Sequence, residues 1–271
     1  MRRLEGRVAL ISGTARGLGR AAALRFAAEG AIVVGGDLLH DEAVETQRLI
    51  ARKGGTALTP SPLDVTSPDS VDAWVEEAVA AFGGIDICCT NVGTARTASL
   101  TEQSHEDYTS TVRAEPESVR LTARAAWKHL TRSRGCVVTI GSTAGLTGSG
   151  TDHRTTHAAA NDGVIALTRR LAAEGAEHGV RANCVNPGLT NTAGSRGNLL
   201  ADAHPMRDTA GHLPLGRPGL PQDVADAAVF LASDDAASIT GANLVVDGGW
   251  SVVLPGPLTR KEHPNRGQGH P

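Results

Sequence analysis

The sequence predicts a single α/β domain built on a doubly wound parallel sheet. Short β-branched runs alternate with longer segments of helical period through most of the 271 residues, which is typical of βαβ units. Most of these runs are apolar on both faces, as strands covered by helices on two sides must be. A chain of this length suits one such domain better than two.

Seven runs are predicted as strands. They cover residues 8–12, 31–36, 56–58, 85–90, 136–140, 180–185 and 244–246. Between them, apolar residues recur with helical spacing, as at Val164, Leu167 and Leu171, and predict helices that pack on the sheet. From residue 255 the sequence becomes polar, with four prolines and no apolar period. We therefore expect a domain over 1–254 and a flexible tail, or an arm on a neighbouring subunit, over 255–271.

Charge and composition limit the possible partners. The net charge is −3 with both signs dispersed, so no basic stripe predicts nucleic-acid or membrane-surface binding. There is neither a signal-peptide core nor an 18-residue apolar stretch, and we expect a cytoplasmic protein that binds small molecules. The four cysteines lack zinc-ligand or C-x-x-C spacing and are expected to be buried thiols. His153 and His157 lie four apart beside Asp152, but without a metalloprotease motif, and no metal is predicted.

A glycine-rich turn follows the first predicted strand and opens a helix. Glycines at these positions allow the backbone to turn tightly and to approach a pyrophosphate, which the free N–H groups of the helix N-terminus then bind. The predicted phosphate-binding residues are Gly13, Arg16, Gly17, Leu18 and Gly19. Strand, glycine turn and helix in this order predict a Rossmann-type dinucleotide site.

The choice of dinucleotide depends on Asp37, which ends the second predicted strand about 20 residues further on. Its carboxylate can accept hydrogen bonds from both ribose hydroxyls of NAD, whereas it would repel the 2′-phosphate of NADP. Arg16 favours the opposite choice, because a basic residue in the turn can neutralise that phosphate. We nevertheless expect NAD. An arginine at this position can be an ordinary surface residue, whereas the repulsion between Asp37 and the 2′-phosphate is harder to avoid.

Further motifs follow in the order found in one enzyme superfamily. Besides the glycine turn, they are Asp64-Val65, Asn91 and Gly93 in Thr90-Asn91-Val92-Gly93, Ser142 in a Gly-Ser-Thr-Ala-Gly segment, Pro187-Gly188 with Thr190 and Thr192, and the closing segments 221–225, 239–241 and 246–249. Over about residues 6–250 the chain resembles the short-chain dehydrogenase/reductase superfamily. The resemblance implies that Asp64, Val65, Asn91, Gly93, Pro187, Gly188, Thr190 and Thr192 contact the dinucleotide and that Ser142 steadies a substrate oxygen.

The catalytic positions depart from that family. A Tyr-x-x-x-Lys pair is expected where this chain has His157 and Asn161, and no realignment restores it, because the only tyrosine is Tyr108 and no lysine follows it at that spacing. Where the family has an asparagine on an earlier helix, this chain has Glu115. Of the four catalytic positions, Ser142 alone keeps the family's residue.

The replacements suggest three alternative functions. A histidine titrates near 6.5 without help, so His157 could be the general acid/base, with Glu115 orienting it and Asn161 holding the nicotinamide ribose. This hypothesis gives an NAD-dependent alcohol/ketone oxidoreductase. The second alternative is a non-redox dehydratase, isomerase or cyclase that uses His157 and Glu115. The third is a dinucleotide-binding protein without catalysis.

The remaining expectations concern the substrate and the assembly. A long Gly- and Pro-containing loop over 191–217 lies where the family has its substrate lid, and it carries Leu199, Leu200, His204, Met206, Arg207, His212 and Leu213. Arg96, Leu146 and Thr147 are candidates for pocket walls by family position. The resemblance also implies a homodimer or homotetramer paired through the helices around 105–133 and 155–178.

Overall fold

A seven-stranded parallel sheet forms the centre of the molecule. The computed structural model describes residues 2–93, 98–148, 154–197, 200 and 212–253. The strands are β1 Val8–Ser12, β2 Ile32–Gly36, β3 Thr56–Leu58, β4 Ile87–Thr90, β5 Cys136–Ile140, β6 Arg181–Pro187 and β7 Asn243–Val246. Their order across the sheet is β3-β2-β1-β4-β5-β6-β7, and every neighbouring pair is parallel. The predicted doubly wound α/β fold is confirmed, with strand ends that differ from the prediction by at most two residues.

Helices connect the strands on both sides of the sheet. They are α1 Gly17–Ala28, α2 His40–Arg52, α3 Pro68–Phe82, α4 His105–Val112, α5 Ser118–Ser133, α6 Thr155–Gly175, α7 Ala193–Gly197 and α8 Pro221–Ala232. Local sequence explains their ends: the Ser67 hydroxyl caps the start of α3 by accepting from the Ser70 amide, and Gly83, with φ +82°, caps its end. In the parts of the chain that are described, no helix is both long and apolar enough to span a bilayer.

Two hydrophobic clusters cover the two faces of the sheet. One contains the apolar sides of α3, α5 and α6, and Val164 and Leu171 of the predicted helical stripe belong to it, with Leu167 packed against it. The other contains the apolar sides of α1 and α8. Adjacent residues of β5 alternate between them, Val137 in the first and Val138 in the second. This alternation explains why the strand sequences are apolar on both faces.

The helical segment predicted over 105–133 is interrupted by a π-helical turn. Residues Arg113–Glu117 form this wider turn between α4 and α5. Pro116 lies inside it and has no N–H to donate to the preceding turn, which disfavours an ordinary α-helical continuation. Gly163 of α6 lies directly opposite, since a Cβ there would be 3.5 Å from the Pro116 Cβ. The turn directs Glu115 inward, where it is 3 % exposed.

Candidate active site

The predicted site residues converge on the carboxyl edge of the sheet. Strand order reverses between β1 and β4, and in open α/β sheets a ligand binds beyond the strand ends at such a point. The glycine turn follows β1, Asn91 follows β4, Ser142 lies two residues after β5, and Pro187 ends β6. The topology therefore brings residues from distant parts of the sequence to one edge.

The glycine turn has the conformation that close approach of a phosphate requires. Gly13 and Gly17 have φ of +76° and +58°, which disfavours larger residues. Gly19 has no room for a side chain, because a Cβ would lie 2.0 Å from the Gly13 carbonyl oxygen. Arg16, which precedes α1, makes no side-chain capping hydrogen bond to the helix. Backbone N–H groups at this N-terminus are thus left for an anion, and the turn fits a dinucleotide pyrophosphate.

Asp37 and Arg16 have separate partners. The Asp37 carboxylate accepts from the Ala15 amide at 3.1 Å and from the Leu39 amide at 2.9 Å. The exposed Arg16 guanidinium donates to Glu42 at 3.2 Å. Asp37 is therefore held by the glycine turn itself, while the charge of Arg16 is already paired at the surface.

Asn91, which follows β4, packs against the glycine turn, whereas the described hydrogen bonds of Asp64, after β3, join it to its own neighbours. Asp64 accepts from the amide and the hydroxyl of Thr66 at 2.8 and 2.7 Å, and Val65 is buried. The backbone N–H of Asn91 donates to the Ser12 hydroxyl oxygen at 3.0 Å. Its side chain packs so closely under the turn that a Cβ on Gly19 would lie 2.6 Å from Asn91 Nδ2.

His157, Glu115 and Asn161 form one hydrogen-bonded cluster. His157 Nδ1 lies 2.9 Å from Glu115 Oε1, and Asn161 Nδ2 donates to Glu115 Oε2 at 2.8 Å. Asn161 Nδ2 also donates to the His157 carbonyl oxygen at 2.8 Å. His157 and Asn161 are one turn apart on α6 and so share a face, while the π-turn supplies Glu115. Gly93 lies against this cluster, since a Cβ there would be 3.4 Å from Glu115 Oε1.

A cavity of about 450 Å³ opens beside this cluster. Of the predicted site residues, it is lined by Leu18, Ser142, His157, Pro187, Gly188, Thr190 and Thr192. Ser142 Oγ accepts from the Ala144 amide at 3.1 Å. The described lining does not include Asp37, Asp64 or Asn91, which lie further along the sheet edge, after β2, β3 and β4. The site therefore has two halves. The glycine turn presents backbone N–H groups, and the cavity is lined by side chains that include Ser142 and His157.

Among the lining residues that were not predicted from the sequence, three have large side chains. Arg154 precedes α6 and lies one turn before His157, so helical spacing could have indicated it. Leu189 and Trp250 each follow a predicted motif directly or closely, but neither has a polar group that singles it out for catalysis. Among the suggested wall residues, Thr147 lines the cavity, whereas Leu146 is 40 % exposed and is not part of the described lining.

Several predictions lie outside the described residues. They are those on Arg96, Asp152, His153, Leu199, His204, Met206, Arg207 and the tail 255–271. Of the predicted loop over 191–217, Leu213 is buried, at 4 % exposure.

Comparison with known proteins identifies the family. A family model described as Enoyl-(Acyl carrier protein) reductase matches residues 13–251. The chain belongs to the short-chain dehydrogenase/reductase superfamily. It is 35 % identical over 253 residues, 92 % of this chain and 98 % of the other, to the (2S)-[(R)-hydroxy(phenyl)methyl]succinyl-CoA dehydrogenase subunit BbsD of Thauera aromatica. It is also 35 % identical over 250 residues, 92 % and 99 % of the two chains, to the 3-oxoacyl-[acyl-carrier-protein] reductase FabG of Escherichia coli.

Solved structures show the same relationship. A 7α-hydroxysteroid dehydrogenase complexed with NADH and 7-oxo glycochenodeoxycholic acid matches with a TM-score of 0.85 and 28 % identity, over 91 % of this chain and 95 % of the other. The structure of gox2181 matches with a TM-score of 0.89 and 29 % identity, over 93 % and 98 % of the two chains. The superfamily comprises oxidoreductases that use a nicotinamide dinucleotide, act on small molecules and are commonly oligomeric.

Proposed function

We propose that this protein is an NAD(H)-dependent oxidoreductase that interconverts an alcohol and a ketone, with His157 in the role of the family's tyrosine. The contact between His157 Nδ1 and Glu115 Oε1, 2.9 Å long at the wall of the cavity that Ser142 also lines, is the observation that carries the proposal. An imidazole held by a carboxylate is an acid/base that requires no lysine, and its second nitrogen is free of that contact.

In this proposal His157 transfers the proton, Glu115 stabilises the imidazolium, and Ser142 positions the substrate oxygen. In the oxidation direction, hydride acceptance is the chemistry that a bound nicotinamide would supply. His157 Nε2 takes the hydroxyl proton of the substrate, and the imidazolium that forms is stabilised by Glu115. In the reduction direction the same nitrogen returns the proton. The Ser142 hydroxyl, whose oxygen is fixed by the Ala144 amide, donates to the substrate oxygen and holds it at His157.

The dinucleotide would be held at both halves of the site. Gly13, Gly17, Leu18 and Gly19 present backbone to the pyrophosphate, and Asp37 accepts from the adenosine ribose. Asp64, Val65, Asn91 and Gly93 border the adenine side, while Pro187, Gly188, Thr190 and Thr192 border the nicotinamide side. The pairing of Arg16 with Glu42 at 3.2 Å supports NAD over NADP, because that guanidinium already has an anionic partner.

A non-redox reaction is the second candidate, and the same contact favours it. A histidine and a buried carboxylate can shuttle a proton in a dehydration or isomerisation without hydride transfer.

The completeness of the hydrogen-bonded cluster argues against the third alternative, a dinucleotide-binding protein without catalysis. A carboxylate that is 3 % exposed is costly unless it is hydrogen-bonded, and both Glu115 oxygens have partners.

The assembly and the compartment complete the proposal. We propose a cytoplasmic homodimer or homotetramer paired through the helices around 105–133, which are α4 and α5, and 155–178, which is mainly α6. In the cytoplasm the four buried free cysteines would stay reduced. Size-exclusion chromatography with light scattering measures the assembly. A monomer at micromolar concentration would contradict the pairing.

Turnover can be tested with substrates suggested by the relatives. The protein is incubated with NAD and secondary alcohols, hydroxysteroids or 3-hydroxyacyl thioesters, and with NADH and the corresponding ketones, while absorbance at 340 nm and the products are followed. Oxidoreduction gives equal amounts of product and absorbance change. Product without an absorbance change identifies the non-redox reaction.

A double variant separates a modified enzyme from a decayed one. His157→Tyr with Asn161→Lys restores the family's pair, and in an enzyme adapted to histidine it should lower the native activity. A gain of hydride transfer in the double variant over an inactive native protein would instead indicate decay of an ancestral dehydrogenase.

A further inference from the structure

The amide of Asn161 has no hydrogen left for a ligand. Asn161 is 3 % exposed, and its Nδ2 lies 2.8 Å from both Glu115 Oε2 and the His157 carbonyl oxygen, closer than the 3.1 and 3.5 Å that separate it from His157 Nδ1 and Nε2. The two shortest contacts take its two hydrogens. We infer that Asn161 is a positioning residue that fixes the protonation pattern of the Glu115–His157 pair, and that it does not hold the nicotinamide ribose through its amide hydrogens. The functional consequence rests on the proposed role of His157, but the protonation pattern does not.

The orientation of the Asn161 amide follows from its neighbours. If nitrogen and oxygen were exchanged, the amide oxygen would lie 2.8 Å from a carboxylate oxygen and 2.8 Å from a carbonyl oxygen. Neither neighbour can donate a hydrogen bond there, so the exchanged orientation is repulsive. Asn161 therefore always presents a donor to Glu115.

This donor determines where the proton between Glu115 and His157 lies. Oε2 must accept from Asn161, and Oε1 is then left to face His157 Nδ1 at 2.9 Å. An ionised carboxylate oxygen can only accept, so the hydrogen between Glu115 Oε1 and His157 Nδ1 is carried by the imidazole. His157 is accordingly the Nδ1–H tautomer when neutral. Its Nε2 is bare and is the atom that can accept a proton from a substrate.

A single isosteric change tests this assignment, because it should reverse the tautomer. In Glu115→Gln, Asn161 still requires an acceptor at the Oε2 position, so the new amide oxygen must lie there. The new NH₂ group then points at His157 Nδ1 and forces that nitrogen to accept. His157 becomes the Nε2–H tautomer, and the nitrogen proposed as the base is occupied by a proton.

The ¹⁵N chemical shifts of the two His157 ring nitrogens are measured by NMR in uniformly ¹⁵N-labelled protein, at a pH well above the titration range of an imidazole. Protonated and bare ring nitrogens have distinct shifts, and His157→Gln assigns the signals. We expect Nδ1–H in the native protein, Nε2–H in Glu115→Gln, and a mixture in Glu115→Gln with Asn161→Leu, where the orienting donor is absent. Asp162→Asn, an exposed neighbour on the same helix, should leave the native pattern unchanged.

Dinucleotide binding gives the second readout. Asn161→Leu is close in shape to the native residue, and we expect it to change NADH affinity, measured by fluorescence titration, by less than about twofold. A loss of tenfold or more would mean that Asn161 holds the ribose, and would overturn the inference. Retention of the Nδ1–H tautomer in Glu115→Gln, which needs no turnover to detect, would overturn it independently. If that variant does not fold, an Nε2–H tautomer in the native protein is the refuting result.

Discussion

Removal of the His157 imidazole should lower both the turnover and the stability of the protein. The loss of stability can be estimated from the contacts of Glu115. His157→Ala removes the proposed acid/base, which should lower turnover by about 10²–10⁴-fold. It also deprives a buried carboxylate of its 2.9 Å partner, and only Asn161 remains of the two described contacts to its oxygens. Loss of a hydrogen bond to a charged, buried group costs about 1.5–3 kcal/mol. For a domain of this size the melting temperature should fall by roughly 3–12 °C.

The chain offers a matched control on its surface. His178 Nε2 lies 3.4 Å from Glu177 Oε1, and the two side chains are 45 % and 79 % exposed. His178→Ala therefore removes a histidine–glutamate contact without burying an unpaired charge, and its unfolding free energy should change by at most about 0.5 kcal/mol. Initial rates at 340 nm and calorimetric melting are measured on both variants. Undiminished turnover in His157→Ala, with NADH affinity retained, would refute the role of His157 and leave Ser142 and Glu115 as candidates.

Three further predictions concern other residues. Hydrogen bonds from the Arg3 side chain and amide hold the pKa of Glu29 at about 2, below its usual 4.5, so its contribution is present above pH 4.5 and is lost as pH falls toward 2. Urea unfolding should show Glu29→Gln to be less stable than the native protein by up to about 3 kcal/mol at pH 7, and equal stability there would contradict the pairing. Burial raises the pKa of Cys88 and Cys89, the latter to about 12, so neither thiol should react with Ellman's reagent at pH 8 until the protein is unfolded. Titration should show NADH binding at least tenfold more tightly than NADPH, about 1.4 kcal/mol, because of Asp37, and an equal or reversed preference would mean that Arg16 dominates.

The fold could be predicted because its signals are local. Alternation of β-branched runs with helical periods depends on neighbours in sequence, and the glycine turn combines a strand, a turn and a helix within a few residues. Strand ends were less accurate, as at β6, which extends to Pro187 because it pairs with β7 over that length. Such pairing is a long-range contact that the local pattern does not contain.

The site was only partly predictable for the same reason. Sequence placed Glu115, His157 and Asn161 at catalytic positions by resemblance, but the partner of each depends on how the π-turn packs against α6. The double donation by Asn161 requires that packing. Trp250 lines the cavity because of where its backbone lies, and no motif indicates its side chain, whereas the spacing of Arg154 from His157 is the one sequence signal that could have indicated Arg154.

The π-turn also has a consequence for how this centre could have been acquired or could be redesigned. A residue added to a helix rotates everything after it by about 100°, which would ordinarily misalign an entire buried face. A turn that absorbs such a residue within Arg113–Glu117 confines the change to five positions, so α4 and α5 can each keep their own packing. Deletion of Pro116, the residue that disfavours a regular α-helix here, would then test whether this turn is what directs the Glu115 carboxylate to His157, while every side chain of the hydrogen-bonded cluster is preserved.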